Sequence, residues 1–322
     1  MTTPAPPITK QTSKHHNDLV WSYLLHLSYN MWCDREVAGK NLRYNAAKPY
    51  LRCDDSLWND LLPAMADAGL NMVILDLGDG VQYASHPEIA VQNAWSVTRL
   101  KQELQKMRDL GLAPIPKLNF STCHDAWLGQ YARMVSTDIY YGVCRDLIAE
   151  VIDIFEAPRF FHLGMDEEIA YPHQQNFEYL VVRQYDLWWH DLNFYVEQVE
   201  KGGVRAWVWS DYVWHHAEEF YAKMPRSVLQ SNWYYDLKFN RQVPEVKAYV
   251  ELAAQGYDQV PTGSNYNTAG NFEKTVPYCL KNIAPERLLG FMQTVWRPTL
   301  EECRSRHLEA IAEVAKAKSS IT

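Results

Sequence analysis

The segment FFHLGMDEE, residues 160–168, ends in three consecutive acids, Asp166, Glu167 and Glu168. Carboxyls crowded in this way cannot all ionise cheaply, so one is expected to hold a proton near neutrality, as an acid catalyst must. A protonated carboxyl beside a charged one suits glycoside cleavage. One group protonates the departing oxygen while the other manages oxocarbenium-like charge. The chain also carries 12 Trp and 20 Tyr, and aromatic faces pack well against the C–H faces of sugar rings. Neither a Ser-His-Asp order nor a glycine-rich phosphate loop competes with this reading. His162, Asp166 and His173 are metal-ligand types, but no helical H-x-x-x-H spacing joins them, so neither a metal nor a cofactor is expected.

Such groups need a scaffold, and the hydrophobic pattern supplies one. Strand-like and helix-like segments alternate along all 322 residues, the pattern of a parallel sheet with crossover helices. Strands are expected near 21–31 and at 71–77, 113–119, 160–164, 204–209, 228–233, 259–263 and 288–296. Between them lie helices at 56–69, 96–111, 140–155, 176–201, 217–223, 244–254 and 271–282, with a last one at 300–318. Asp54 or Asp55 and Ser96 are the expected caps of the first two, and Gly69 and Gly111 their ends. Eight βα units predict an α/β fold of one kind, a single (β/α)8 (TIM) barrel over 19–322. Residues 1–18 are read as a flexible leading segment.

Composition narrows the function. The chain is 47% hydrophobic with a net charge of −8 and no basic run, so nucleic acid is not an expected partner. The six cysteines form no C-x-x-C pair and read as free thiols. The polar, Pro-rich start lacks the apolar stretch of a signal peptide, and no run is long enough to span a bilayer. A cytoplasmic protein acting on a carbohydrate, without a membrane partner, is therefore expected, with homodimerisation left open.

In such a barrel the active site lies at the C-terminal strand ends. Those ends offer Asp76 and Asp79; Lys117, Asn119 and His124; His162 and the acids at 166–168; Trp209 and Asp211; Trp233 to Asp236; Ser264 to Tyr266; and Trp296. Here the segment around HLGMDEE resembles the H-x-G-G-D-E signature of glycoside hydrolase family 20, the β-N-acetylhexosaminidases. The flanks WSVTRLKQELQKMRDLGLAPIPKLN and YYGVCRDLIAEVIDIFEAPRFFHLGMDEE resemble that family's second helix with third strand, and third helix with fourth strand. WSD at 209–211, SNW at 231–233 and QTVW at 293–296 fall where the family places pocket tryptophans.

The resemblance implies roles. Glu167 would be the general acid/base. Asp166 would orient a 2-acetamido group that itself attacks the anomeric carbon, a substrate-assisted exception to the two-carboxylate scheme. Tyr266 would hydrogen-bond the acetamido oxygen, while Trp209, Trp233 and Trp296 would wall the sugar, with Asp211 and Tyr235 beside them. Asp79 and His124 would form a supporting pair next to the acid, with His162 beneath. The sequence departs from the pattern at Met165, which replaces the second glycine, and at Lys117 to Asn119, which replace an acidic cluster. Further departures are Ser264-Asn265 before Tyr266 and Arg297-Pro298 after Trp296, where a carboxylate is lost; Arg35 is the nearest match to a strand-one arginine. Two other outcomes follow from these departures: a glycosidase of altered sugar specificity with a direct carboxylate nucleophile, or a non-catalytic sugar-binding protein.

Overall fold

The computed structural model describes residues 19–35 and 44–321; the leading segment 1–18 lies outside the described residues. Eight parallel strands form one sheet: β1 (Val20–His26), β2 (Met72–Asp76), β3 (Ala113–Lys117), β4 (Phe160–His162), β5 (Arg205–Trp209), β6 (Leu229–Ser231), β7 (Thr262–Ser264) and β8 (Gly290–Thr294). Each pairs with its sequence neighbour, and β1 also pairs with β8. Single bridges from Gln230 to Gln259 and from Trp233 to Thr262 join β6 to β7 and close the ring. The helices α1 (Asp55–Asp67), α2 (Val97–Asp109), α3 (Asp138–Ile154), α4 (Asp186–Lys201), α5 (Ala217–Lys223), α6 (Pro244–Ala254), α7 (Phe272–Asn282) and α8 (Arg304–Ser319) alternate with the strands. The expected (β/α)8 barrel is formed. Among the described residues no helix is long and apolar enough to cross a membrane.

The strands are buried on both faces, which is why β2 reads as a continuous apolar run. Alternate residues go in and out. Val20, Leu24, Met72, Ile74, Ile115, Phe160, Trp207, Leu229, Val260 and Met292 fill the barrel. Trp21, Tyr23, Leu25, Val73 and Leu75 face the helices in a separate outer core. Ser96 caps α2 by accepting from Arg99 N at 3.2 Å, a contact worth about 1 kcal/mol. Asp54 stands at the start of α1 but makes no side-chain cap; its carboxylate accepts from Glu301 N instead, tying α1 to the segment before α8.

Several strands are shorter than anticipated, β1 ending at His26 and β4 at His162, and the largest departure is a helix. The helix anticipated over 176–201 begins only at Asp186. The apolar run before it is held as irregular chain, because Arg183 is drawn into the barrel mouth and Glu178 N bonds Asp34.

The strand register places His26, Asp76, Lys117 and His162 side by side as one layer near the C-terminal end of the barrel. All four are buried. Lys117 Nζ lies 2.6 Å and His26 Nδ1 3.2 Å from Asp76 Oδ2. Burial alone would raise the Asp76 pKa, but Lys117 and His26 outweigh it and hold the group below its ordinary value. This charged layer is the floor on which the mouth is built. Removing one partner leaves a buried charge uncompensated. Lys117→Met is therefore expected to lower the unfolding free energy by about 3–5 kcal/mol, read from urea denaturation. A loss under about 1 kcal/mol would mean that Asp76 is not dependent on that ammonium.

Candidate active site

After β4 the chain abandons extended geometry. Gly164 (φ 72), Met165 (φ 73) and Glu167 (φ 51) all lie in the left-handed region. In a regular strand, neighbours point to opposite faces, so Asp166 and Glu167 could not share a cavity. The left-handed steps allow both to face the mouth, at a cost of roughly 1–3 kcal/mol for each non-glycine residue so placed. A Cβ on Gly164 would stand 1.9 Å from Asn119 Oδ1, so the position accepts only glycine. Asn119 in turn holds the turn in place. Its Oδ1 accepts from Met165 N (3.2 Å) and Ser121 N (3.0 Å), and its Nδ2 donates to Asp166 Oδ1 at 2.8 Å.

Glu167 meets two imidazoles. His124 Nε2 lies 3.3 Å and His173 Nε2 3.6 Å from Glu167 Oε2, and His124 Nε2 is also 3.4 Å from Asp166 Oδ2. Burial pushes the Glu167 pKa up, but both histidines outweigh that effect and hold it far below the usual carboxylate range. Burial likewise disfavours charge on His124, and there the carboxylates of Asp166 and Glu167 prevail, raising its pKa. The resting pair is thus carboxylate and imidazolium.

Asp211, at the end of β5, accepts from Glu167 N at 2.8 Å. Burial, reinforced by the Asp166 charge, pushes its pKa up to about 8. Of the three crowded acids expected to share a proton, Glu167 is instead driven toward the ionised form by its two histidines. The groups driven toward their protonated forms are Asp211, by burial, and His124, by the neighbouring carboxylates. Glu168 is not part of the set, because Arg183 grips it bidentately, Nε to Oε1 at 2.9 Å and Nη2 to Oε2 at 2.8 Å. Arg183 also donates to Asp191 and to the Phe120 carbonyl, which fixes the loop leading into α4.

A cavity of about 250 Å3 opens above this group, lined by Asp166, Glu167, Trp209, Trp233, Tyr235, Tyr266 and Trp296 together with Tyr29, Trp32, Asn45 and Asn267. The walls are braced by one another. Trp296 Nε1 donates to Tyr235 OH at 3.1 Å, Tyr29 OH donates to the Trp296 carbonyl at 2.8 Å, and Trp233 stacks on Tyr235 at 5.0 Å. Trp209 packs against the His162 ring at 4.6 Å. His162 accepts from Gly164 N and belongs to the floor.

Seven of the sequence-derived candidates thus converge on one cavity, with His124 and Asp211 directly behind its acids. Asp79 does not join them. Its carboxylate is taken by Ser28 Oγ and Asn30 Nδ2, so the expected Asp79–His124 pair is replaced by contacts of His124 with the catalytic candidates themselves. Arg35 donates to the Gln175 carbonyl and is not among the cavity residues. Sequence reasoning missed Trp32, whose ring packs edge-on against His124 at 4.8 Å and Trp296 at 5.5 Å. Its place just beyond the end of β1, like that of Trp296 beyond β8, was the available signal.

No family model matches the sequence, and no curated protein matches it. Solved structures do. The β-N-acetylhexosaminidase from Bacteroides fragilis superposes with a TM-score of 0.64 at 15% identity, over 93% of this chain and 65% of that one. A mutant Streptomyces plicatus β-hexosaminidase in complex with the product GlcNAc gives 0.63 at 14% identity, over 91% and 63%. The GH20 exo β-N-acetylglucosaminidase from Vibrio harveyi in complex with N-acetylglucosamine gives 0.63 at 14%, over 92% and 54%. The chain therefore spans between about half and two thirds of the length of these proteins, and at this identity the likeness establishes a shared barrel fold.

The proton on Asp211 has a measurable consequence. The unfolded chain loses it near about pH 3.9, whereas the folded chain keeps it to about 8. The folded state binds more protons between these values, so stability falls as pH rises through that window. Asp211→Asn is neutral throughout and is expected to raise Tm more at pH 8 than at pH 5. Equal changes at both pH values in thermal scans would contradict the assignment.

Proposed function

We propose that this protein is a glycoside hydrolase, a retaining, exo-acting β-N-acetylhexosaminidase-like enzyme that uses substrate assistance. The observation that carries the reading is the convergence of Asp166, Glu167, Tyr266 and three tryptophans on one cavity at the C-terminal mouth of the barrel. The fold shared with hexosaminidases, some of them in complex with GlcNAc, supports it. The pocket has the composition of a sugar site, with apolar faces for the ring and a few convergent polar groups.

The chemistry follows from where the protons rest. Glu167 is held toward its ionised form and His124, 3.3 Å away, toward its protonated form. A sugar seated among the tryptophans displaces water from Glu167, which raises its proton affinity. The proton passes from His124 Nε2 to Glu167 Oε2 and then to the departing glycosidic oxygen. As that bond breaks, the acetamido carbonyl oxygen bonds to the anomeric carbon, Asp166 accepts from the acetamido N–H, and Tyr266 donates to its oxygen. Water then adds to the anomeric carbon as its bond to the acetamido oxygen breaks, and the water's proton passes to Glu167 Oε2 and back to His124 Nε2. Two displacements on one carbon return the original configuration. Asp166 is suited to its part because Asn119 Nδ2 fixes one of its oxygens.

A second reading concerns the sugar itself. Asn45 and Asn267 are neutral amides in the lining, and the carboxylate that the family resemblance places after Trp296 is replaced by Arg297-Pro298. That combination favours a hexosamine whose other hydroxyls are modified or differently arranged. In a direct-nucleophile variant of the mechanism, Asp166 would attack the anomeric carbon and a covalent glycosyl-enzyme would accumulate. Pure sugar binding would leave the whole panel below unhydrolysed.

The test is a panel of aryl β-glycosides with and without the 2-acetamido group. The acetamido substrates are expected to turn over at least about 100-fold faster, and Glu167→Gln to lower kcat by about 100- to 10,000-fold. Equal rates on plain glucosides would remove substrate assistance from the account.

A further inference from the structure

Glu167 Oε2 faces two imidazole nitrogens, and this arrangement has the dimensions of a metal site. In a tetrahedral zinc centre with bonds of about 2.0–2.1 Å, ligand atoms stand about 3.3–3.4 Å apart. The observed separations from Glu167 Oε2 are 3.3 Å to His124 Nε2 and 3.6 Å to His173 Nε2. The three ligand atoms all lie within 4.8 Å of one another, so a small rotation of one imidazole closes the remaining edge.

The hydrogen bonding points the same way. His173 Nδ1 lies 3.2 Å from the Ile169 carbonyl and must donate to it. With Nδ1 so engaged, Nε2 is the nitrogen that faces Glu167 Oε2. A backbone carbonyl that fixes the outer nitrogen of a histidine is the usual support of a metal-bound imidazole. His124 is fully buried, and neither of its ring nitrogens has a hydrogen-bond partner, although Nε2 points at the carboxylate pair. Without a metal, a proton on His124 Nε2 bridges that ring to the two carboxylates. A proton satisfies one pair at a time, whereas a divalent ion satisfies all three ligands. Two imidazoles and one carboxylate form a donor set that suits zinc, with a fourth position left for water.

We propose that His124, Glu167 and His173 form a divalent transition-metal site, selective for Zn2+ over Mg2+, and that its occupancy switches the catalytic site off. Glu167 Oε2 cannot ligate zinc and carry a proton to a leaving group at once, so metal and turnover exclude each other. The binding part stands on this geometry alone; the inhibition rests on the function proposed above. The side chain of Glu167 is 35% exposed, so the ion can reach the site through the sugar cavity.

Calorimetry on chelator-treated, tag-free protein tests the binding. One Zn2+ is expected to bind with a Kd of micromolar or tighter, MgCl2 to give no heat, and His173→Ala and Glu167→Gln each to weaken zinc at least 100-fold while circular dichroism remains native. An anomalous zinc peak between the three side chains would confirm the position. Absence of binding at 100 μM Zn2+, or affinity unchanged in both variants, would overturn the site. In the aryl-glycoside assay, rates should halve at the measured Kd and recover with EDTA; full activity at saturating zinc would overturn the switch. Zinc bound by this triad in a protein that hydrolyses no glycoside would retain the site and defeat only the proposed hydrolase.

Discussion

Gly164 lies against Asn119 with no room for a side chain, and from that contact the chain makes the turn that defines the mouth. If β4 simply continued, Asp166 would point into the barrel and Glu167 into the helical layer, and no pair would exist. The left-handed steps at Gly164, Met165 and Glu167 swing both acids to one side, and Asn119 and Ser121 lock the new direction through the Met165 N–H, the Asp166 carboxylate and the Asp166 carbonyl. The strain is local and the compensation comes from the loop that follows β3, the neighbouring strand in the ring.

A second consequence concerns charge. The mouth gathers Asp166, Glu167 and Asp211 into largely dry surroundings, and three carboxylates cannot ionise there together. The structure resolves this by giving each a different partner. Asp166 takes an amide, Glu167 takes imidazoles, and Asp211 keeps its proton. Beneath them the layer His26, Asp76, Lys117 and His162 is internally balanced. To one side, Arg183 pairs with both Glu168 and Asp191. The proposed acid therefore works against a background of compensated charge.

Much of this was legible in the sequence, and the part that was not has a physical explanation. The continuous apolar run around MVILD announced a strand covered on both faces, and eight alternating βα units announced closure. Glu167, Asp166 and the tryptophans were legible because each stands at the C-terminal end of a strand. The partners were not. Pairing Asp79 with His124 was a matter of order along the chain, but Ser28 and Asn30 reach Asp79 from the loop after β1, at a separation no local pattern reveals. The run LVVRQY at 180–185 carries helix-like spacing, yet one buried arginine with five acceptor atoms fixes it as irregular chain. The triple-acid motif suggested a proton shared among neighbours, whereas burial and distant partners decide where protons sit, and only coordinates show those.

The claim on which the account rests is that the cavity above Asp166 and Glu167 is shaped for an N-acetylated sugar bent toward its own acetamido group. The most direct measurement is a crystal structure with the cyclic thiazoline analogue of N-acetylglucosamine. The account predicts the pyranose ring between Trp209, Trp233 and Trp296, with the thiazoline nitrogen on Asp166 and Tyr266 beside the sulfur. Density for the analogue elsewhere, such as the surface groove beside Asp125 and Tyr179, with this cavity holding only water, would contradict it.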